Sequence, residues 1–182
     1  HDLSKGSLGM QSSTSNVATV NFFTKFTASE QFDKVFKEGM SLVEETANYL
    51  DGPGRLDARV LERHGAIAYA TESMRLTTRL MQLASWLLLQ RAIGAGELTV
   101  EDARKENHRI SLNDIGKGHD LAGAEALPDA LKALVDRSLT LHLRIQRLDS
   151  MISTQTTSDL AIPSPVNDQI DRLASMLKVA RG

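Results

Sequence analysis

The chain has 182 residues, of which 41% are hydrophobic, and this is enough to bury one sizeable core and argues against intrinsic disorder. Its 21 basic and 23 acidic residues nearly balance, so the chain has no overall positive field to hold nucleic acid or an anionic membrane. The absence of cysteine excludes disulfides and thiolate chemistry and suits a reducing cytosol.

The first segment, residues 1–21, is a polar N-terminal tail that lacks the charged-then-apolar order of a signal peptide. We interpret residues 1–9 as a tag remnant ahead of a natural start at Met10. The longest strongly apolar run, Leu83 to Leu89, is far shorter than the roughly 20 residues of a bilayer span, so we expect no transmembrane helix.

The first long helix is predicted to begin at a capping box, Thr27 to Glu30, just after three closely spaced phenylalanines. It should end at "DGPGR", because Gly52 can adopt a positive φ and Pro53 cannot continue the helix. The residues predicted to face the core are Phe32, Val35, Phe36, Met40, Val43, Ala47 and Leu50.

The second long helix is predicted from Asp57, a candidate N-cap, to Ile93, with Gly65 as a weak point and Gly94 as the stop. At 100° per residue its apolar half, predicted to be core, comprises Ile67, Ala70, Met74, Leu76, Leu80, Met81, Leu83, Leu87 and Leu88. The other half should face water and carries Glu72, Arg75, Arg79, Gln82, Trp86 and Gln90.

The only tryptophan therefore lies on the predicted polar half, beside two arginines. Tryptophan with arginine is a common composition of interface hot spots, so this face is a candidate protein-interaction surface, including one for self-association. Its candidate residues are Glu72, Arg75, Arg79, Gln82 and Trp86. The alternative is that Trp86 covers the short helix or a tail of its own chain.

A short helix is predicted at "TVEDARKEN", followed by a long connection from His108 to Ala126. The third long helix is the clearest signal, with Pro128 in its first turn and a heptad pattern of core positions. These positions are Leu127, Leu131, Leu134, Ser138, Leu141, Ile145, Leu148 and Ile152.

Together these elements predict an all-α, antiparallel three-helix bundle over residues 22–152, with up-down-up topology and flexible tails at both ends. The C-terminal tail, residues 153–182, is polar and proline-bearing, and it includes a short amphipathic helix marked by Ile170, Leu173 and Leu177. So short a helix is marginal alone, and we expect it to dock when a partner supplies a surface.

No enzyme chemistry emerges from the sequence. The five histidines form no metal-ligand pair at helical spacing, and "DIGKGHD" lacks the strand and the ending of a phosphate-binding loop. A weak zinc site at His108 and His119 has little support. We therefore predict no catalytic residue, no metal and no cofactor.

Two other signalling classes stay open. An exposed His64 beside Arg63 and Gly65 would suit a histidine phosphotransfer bundle, although no lysine follows one turn on. A helix-turn-helix DNA-binding regulator could use the basic residues of "ELTVEDARKENHRISLND", which are Arg104, Lys105, His108 and Arg109. Two acidic residues and a poor second helix weigh against DNA binding.

Two blocks of the chain resemble the most recognisable segments of the alphaproteobacterial regulators of CtrA degradation, the RcdA family. They are "EGMSLVEETANYLDGPGR" and "YATESMRLTTRLMQLASWLL", and the similarity spans about Phe22 to Ile93. The third helix resembles the family more loosely, by pattern, and the tails resemble it only in being polar.

The resemblance implies a non-enzymatic adaptor in regulated proteolysis, built as a three-helix bundle that forms a homodimer. Such adaptors help the ClpXP unfoldase-protease to remove the cell-cycle response regulator CtrA and related substrates. A response regulator primes the protease, and a cyclic-di-GMP-binding protein joins for some substrates. On this basis we expect a cytoplasmic protein that its partners concentrate at a cell pole, and a contact role for the matched blocks.

Overall fold

The computed structural model describes residues 22–110, 112, 121–160 and 172–178, and all regular secondary structure in these ranges is helical. The helices are α1 (helical at residues 22–27), α2 (Glu30–Asp51), α3 (Pro53–Arg59), α4 (Arg63–Gly94), α5 (Val100–Arg109), α6 (Asp129–Leu160) and α7 (helical at residues 172–178). A 3₁₀ turn at Ala124–Ala126 precedes α6. The predicted all-α class is confirmed.

The start of α2 is fixed by a different residue from the one predicted. The side chain of Ser29 accepts a hydrogen bond from the backbone N–H of Phe32 at 3.2 Å, so Ser29 is the N-cap. Thr27 instead donates to the carbonyl of Phe23 at 2.8 Å and belongs to α1. The predicted capping box at Thr27 to Glu30 is therefore wrong, although α2 begins where it was expected.

The predicted second helix is divided into α3 and α4, with the break at residues 60–62. Pro53 opens α3, at a position where a missing N–H costs nothing. Gly52 has a φ of −120°, so the expected positive φ is wrong. Asp57 lies inside α3 and is not an N-cap, and Gly65 is buried within α4 and is not the weak point.

The corner between α2 and α3 is held by a buried tyrosine. The hydroxyl of Tyr49 donates to the carboxylate of Asp57 at 2.9 Å. Burial, then this hydrogen bond, raise the pKa of Tyr49 well above its ordinary value. The phenol therefore remains protonated and keeps its role as a donor.

The third long helix buries the residues that its heptad pattern predicts. The seven predicted core positions on α6, and Leu127 just before it, are 9% exposed or less, and three of the leucine and isoleucine side chains of α6 have no exposed surface. Ile152, the last predicted core position, is buried and residues 153–155 are exposed, but α6 continues to Leu160. Residues 153–160, assigned to the polar tail from the sequence, are thus helical.

The helices α2, α4 and α6 pack on one another around a shared core. Between α2 and α6, Arg137 donates to Glu45 at 2.7 Å, and Arg144 donates to Glu38 at 2.6 Å. The residue numbers rise on α6 as they fall on α2, so these two helices are antiparallel.

In contrast to α2 and α6, the helices α4 and α6 run in the same direction. Arg79 donates to Ser138, and Trp86 donates to Asp149, so the numbers rise together on both helices. These helices are parallel. The predicted up-down-up order is therefore wrong for the third helix, although a bundle of three long helices is present.

The connection between α4 and α6 explains this parallel arrangement because it returns along the bundle. It leaves α4 at Gly94, beside α1, and arrives at Gly123, which has a φ of 86° and lies against the backbone of His64. Midway, the buried Leu112 accepts a hydrogen bond from His142 through its carbonyl. A short loop would have forced antiparallel neighbours, whereas this long one does not.

Candidate interaction surface

The face predicted to bind partners is largely buried inside the bundle. Trp86 is 1% exposed, and its indole N–H donates to the carboxylate of Asp149 at 2.9 Å. Arg79 is 2% exposed, and its guanidinium donates to the hydroxyl of Ser138 at 2.7 Å. The prediction that these two side chains lie on a water-facing surface is wrong, because α6 packs against this half of α4.

The contact between α4 and α6 is unusually polar for a bundle core. Burial lowers the pKa of Arg79, and its Nε has no hydrogen-bond partner among the described residues. Arg75 pairs with Glu72 at 3.1 Å at the edge of this contact. Glu72, Arg75 and Gln82 are half-buried, and their role in partner binding stays a prediction.

The exposed surface of α4 instead includes part of the half that its sequence predicted to be core. Ile67, Met74, Met81 and Leu88 are 55%, 71%, 66% and 53% exposed. They recur every seven residues and therefore form one apolar stripe along the helix. The expected burial of these four side chains and of Ala70 is wrong, while Leu76, Leu80, Leu83 and Leu87 are buried as predicted.

This stripe borders an apolar groove of about 480 Å³ between α2 and α4. We call it the α2/α4 groove, and its lining is Val43, Thr46, Ala47, Leu50, Asp51, Thr77, Leu80, Met81, Ala84, Ser85 and Leu88. Small residues on both helices leave its floor accessible. The hydroxyl of Thr46 is buried at this floor without a hydrogen-bond partner in the described structure.

The α2 side of the groove also departs from the prediction. Val43, Ala47 and Leu50, predicted to be core, line the groove, and Leu42, Thr46 and Tyr49 are the residues that α2 buries in the same turns. The core-facing side of α2 is thus rotated by about one residue from the predicted stripe. Both long helices have more apolar surface than the three-helix core uses.

The C-terminal candidates lie in α7. Leu173 and Leu177 are exposed, and so is Met176, which the sequence analysis did not single out. Ile170 lies outside the described residues. The predicted short amphipathic helix is therefore present at residues 172–178, and its docking stays a prediction.

The sequence also left open a metal site, a phosphotransfer site and a DNA-binding site. The described residues contain no group of three or more His, Asp or Glu side chains placed to hold a metal ion. His64 is exposed near the start of α4, and a phosphotransfer role for it stays a prediction. Arg104 and Lys105 are exposed on α5, and only a 3₁₀ turn is helical in the described stretch between α5 and α6. The predicted loop site at His119 lies outside the described residues.

None of the helices in the described parts of the chain combines the length and apolar character of a membrane span. The fold and the groove define a class: all-α helical-bundle proteins that present an apolar groove between two long helices.

Comparison with known proteins identifies the family of the chain. It belongs to the family described as "Protein of unknown function (DUF1465)", whose model matches residues 23–177. The solved structure of RcdA from Caulobacter crescentus CB15 is 49% identical to this chain, with a TM-score of 0.58. The alignment covers 71% of this chain and 96% of the RcdA chain. The predicted resemblance to the RcdA family is confirmed. No curated protein gives a significant match.

Proposed function

We propose that this chain is a non-enzymatic adaptor in regulated proteolysis. The observation that carries the proposal is the 49% identity to RcdA over 96% of that protein's chain. In this role the chain would help the ClpXP protease to remove a response regulator of the CtrA type. A priming response regulator and a cyclic-di-GMP-binding protein would be further partners, in the cytoplasm and at a cell pole.

The α2/α4 groove is the surface that we propose for protein partners. A heptad stripe of exposed apolar residues beside a groove is what an amphipathic helix binds. Methionines such as Met74 and Met81 adapt to different partner surfaces because their side chains are flexible. The groove thus replaces the buried Trp86 face as the proposed contact site.

A reconstituted degradation assay tests the adaptor role. Purified ClpXP, the priming response regulator, the cyclic-di-GMP-binding protein and a CtrA-type substrate are combined with and without this chain. We expect faster loss of substrate when the chain is present. An unchanged degradation rate over a full range of chain concentrations would refute the adaptor proposal.

Variants then test the groove. Met81→Asp with Leu88→Asp places two charges in the groove, and Met151→Asp is a matched control because Met151 is 65% exposed on α6. We expect the double variant to lose substrate delivery and the control to retain it, with both remaining folded by circular dichroism. Equal delivery by both would show that partners bind elsewhere.

Self-association is measured separately by light scattering over a concentration series. We expect a dimer mass for the wild-type chain, for Met151→Asp and for the double groove variant. A monomer at high micromolar concentration in all three would contradict the proposed homodimer.

A further inference from the structure

We propose that α7 docks into the α2/α4 groove of its own chain as a fourth helix. Two apolar surfaces in one chain carry this inference. The groove presents apolar side chains to water, and α7 exposes Leu173, Met176 and Leu177, each at least 59% accessible. Seven helical residues are marginal in water by themselves, so α7 needs a surface to remain helical.

The groove has the size and shape for such a helix. Its 480 Å³ can take a few side chains of one helical face but not a globular domain. Ala47 and Ala84 line it, and small side chains let a helix backbone approach closely. The apolar residues of α7 fall at positions i, i+3 and i+4, so they project from one face into such a space.

Charge favours the same pairing. The described part of α7 carries Arg172 and Lys178 and no acidic residue, whereas α2 carries six acidic and two basic residues, a net charge of −4. On α2, Asp51 lines the groove, and Glu44 is exposed two helical turns before it.

The spacing of these charges also matches. Arg172 and Lys178 are about 9 Å apart along α7, and Glu44 and Asp51 are about 10 Å apart along α2, at about 1.5 Å per residue. A docked α7 can therefore place both cations near both carboxylates. Such exposed pairs contribute little energy and mainly orient the helix.

The chain is long enough to reach the groove. The end of α6 lies about 16 Å beyond Asp149, which is level with Trp86 and close to Leu88 at one end of the groove. Crossing the bundle adds about two helix diameters, or 20 to 24 Å, which makes a direct path of about 29 Å. Residues 161–171 can span about 36 Å when extended.

The consequence for binding, though not the contact itself, rests on the proposed function. A partner that uses the α2/α4 groove would have to displace α7, so the chain would hold its own docking site closed until a partner competes for it. Removing α7 would then tighten partner binding. The docking can be tested without any partner, so its failure is distinguishable from failure of the adaptor proposal.

Paramagnetic broadening in the full chain tests the docking. The chain has no cysteine, so Ala174→Cys gives a single site for a nitroxide label, and its six methionine methyl groups serve as reporters. We expect the Met81 methyl signal to lose most of its intensity and Met151 to lose little. A tail that remains off the bundle would leave the Met81 signal no more broadened than the Met151 signal, and that result would overturn the proposal.

Two controls make the result specific. Leu173→Gln with Leu177→Gln should restore the Met81 signal, whereas Ser175→Gln, on the other side of α7, should not. Broadening that survives the double substitution would overturn the docking. To detect contacts between copies, nitroxide-tagged chains without isotope-labelled methyl groups are mixed with untagged chains that carry isotope-labelled methyl groups. Broadening found only in that mixture would overturn docking within one chain.

Discussion

Replacing Leu141 by alanine should destabilise the bundle strongly, because Leu141 lies where the three long helices meet. It has no exposed surface, and its neighbour across the core is Gly39, where an added Cβ would lie 3.6 Å from the Leu141 side chain. Removing three carbon atoms costs about 2.4 kcal/mol at about 0.8 kcal/mol each. Gly39 has no side chain that could move into the cavity, so we expect a total loss of about 3 to 5 kcal/mol.

Urea unfolding followed by circular dichroism measures this loss. Leu143→Ala is the matched control, because Leu143 lies two residues further along α6 and is 56% exposed. We expect the control to lose no more than about 1 kcal/mol. If Leu141→Ala costs no more than Leu143→Ala, α6 is not packed as described.

Three further substitutions test the polar contacts. Trp86→Phe removes the donor to Asp149 and should cost about 1 to 3 kcal/mol in urea unfolding, and full wild-type stability would contradict that hydrogen bond. Arg79→Met should leave stability unchanged or raise it, because burial already disfavours the charged form, and a loss above about 2 kcal/mol would show that the charge is well compensated. Tyr49→Phe should reduce the loss of folding stability at alkaline pH. Because the pKa of Tyr49 is higher in the folded chain than its ordinary value of 10.0, its contribution to the free energy of unfolding is fully present below pH 10 and is lost as the pH rises from there through the folded-state pKa. Parallel thermal melts of wild type and variant from pH 7 to 11 measure that difference, and identical pH profiles would contradict the assignment.

The heptad pattern of α6 could be predicted from sequence because that helix is buried along one narrow face. Each predicted core position from Leu127 to Ile152 is buried. The family resemblance could also be recognised from the sequence, since it rests on long continuous segments. Both depend on local order in the chain, which a sequence displays directly.

The exposed face of α4 could not be predicted from the sequence in this way. Its apolar residues surround more of the helix than one core contact requires, so periodicity alone could not decide which half faces α6. The seven-residue spacing of Ile67, Met74, Met81 and Leu88 was the available signal for a second apolar face. The polar half was misassigned because Arg79 and Trp86 find partners, Ser138 and Asp149, that lie far away in sequence.

Residue spacing and continuous similarity were enough to predict the helical content, the core of α6 and the family. Only the tertiary structure decided that α6 runs parallel to α4, that Trp86 is buried and that the groove lies between α2 and α4. The physical reason is that a long connection permits either direction for the third helix. The side of α4 on which α6 packs, shown by the contacts of Arg79 and Trp86, decides which residues of α4 are covered and which are left as a surface.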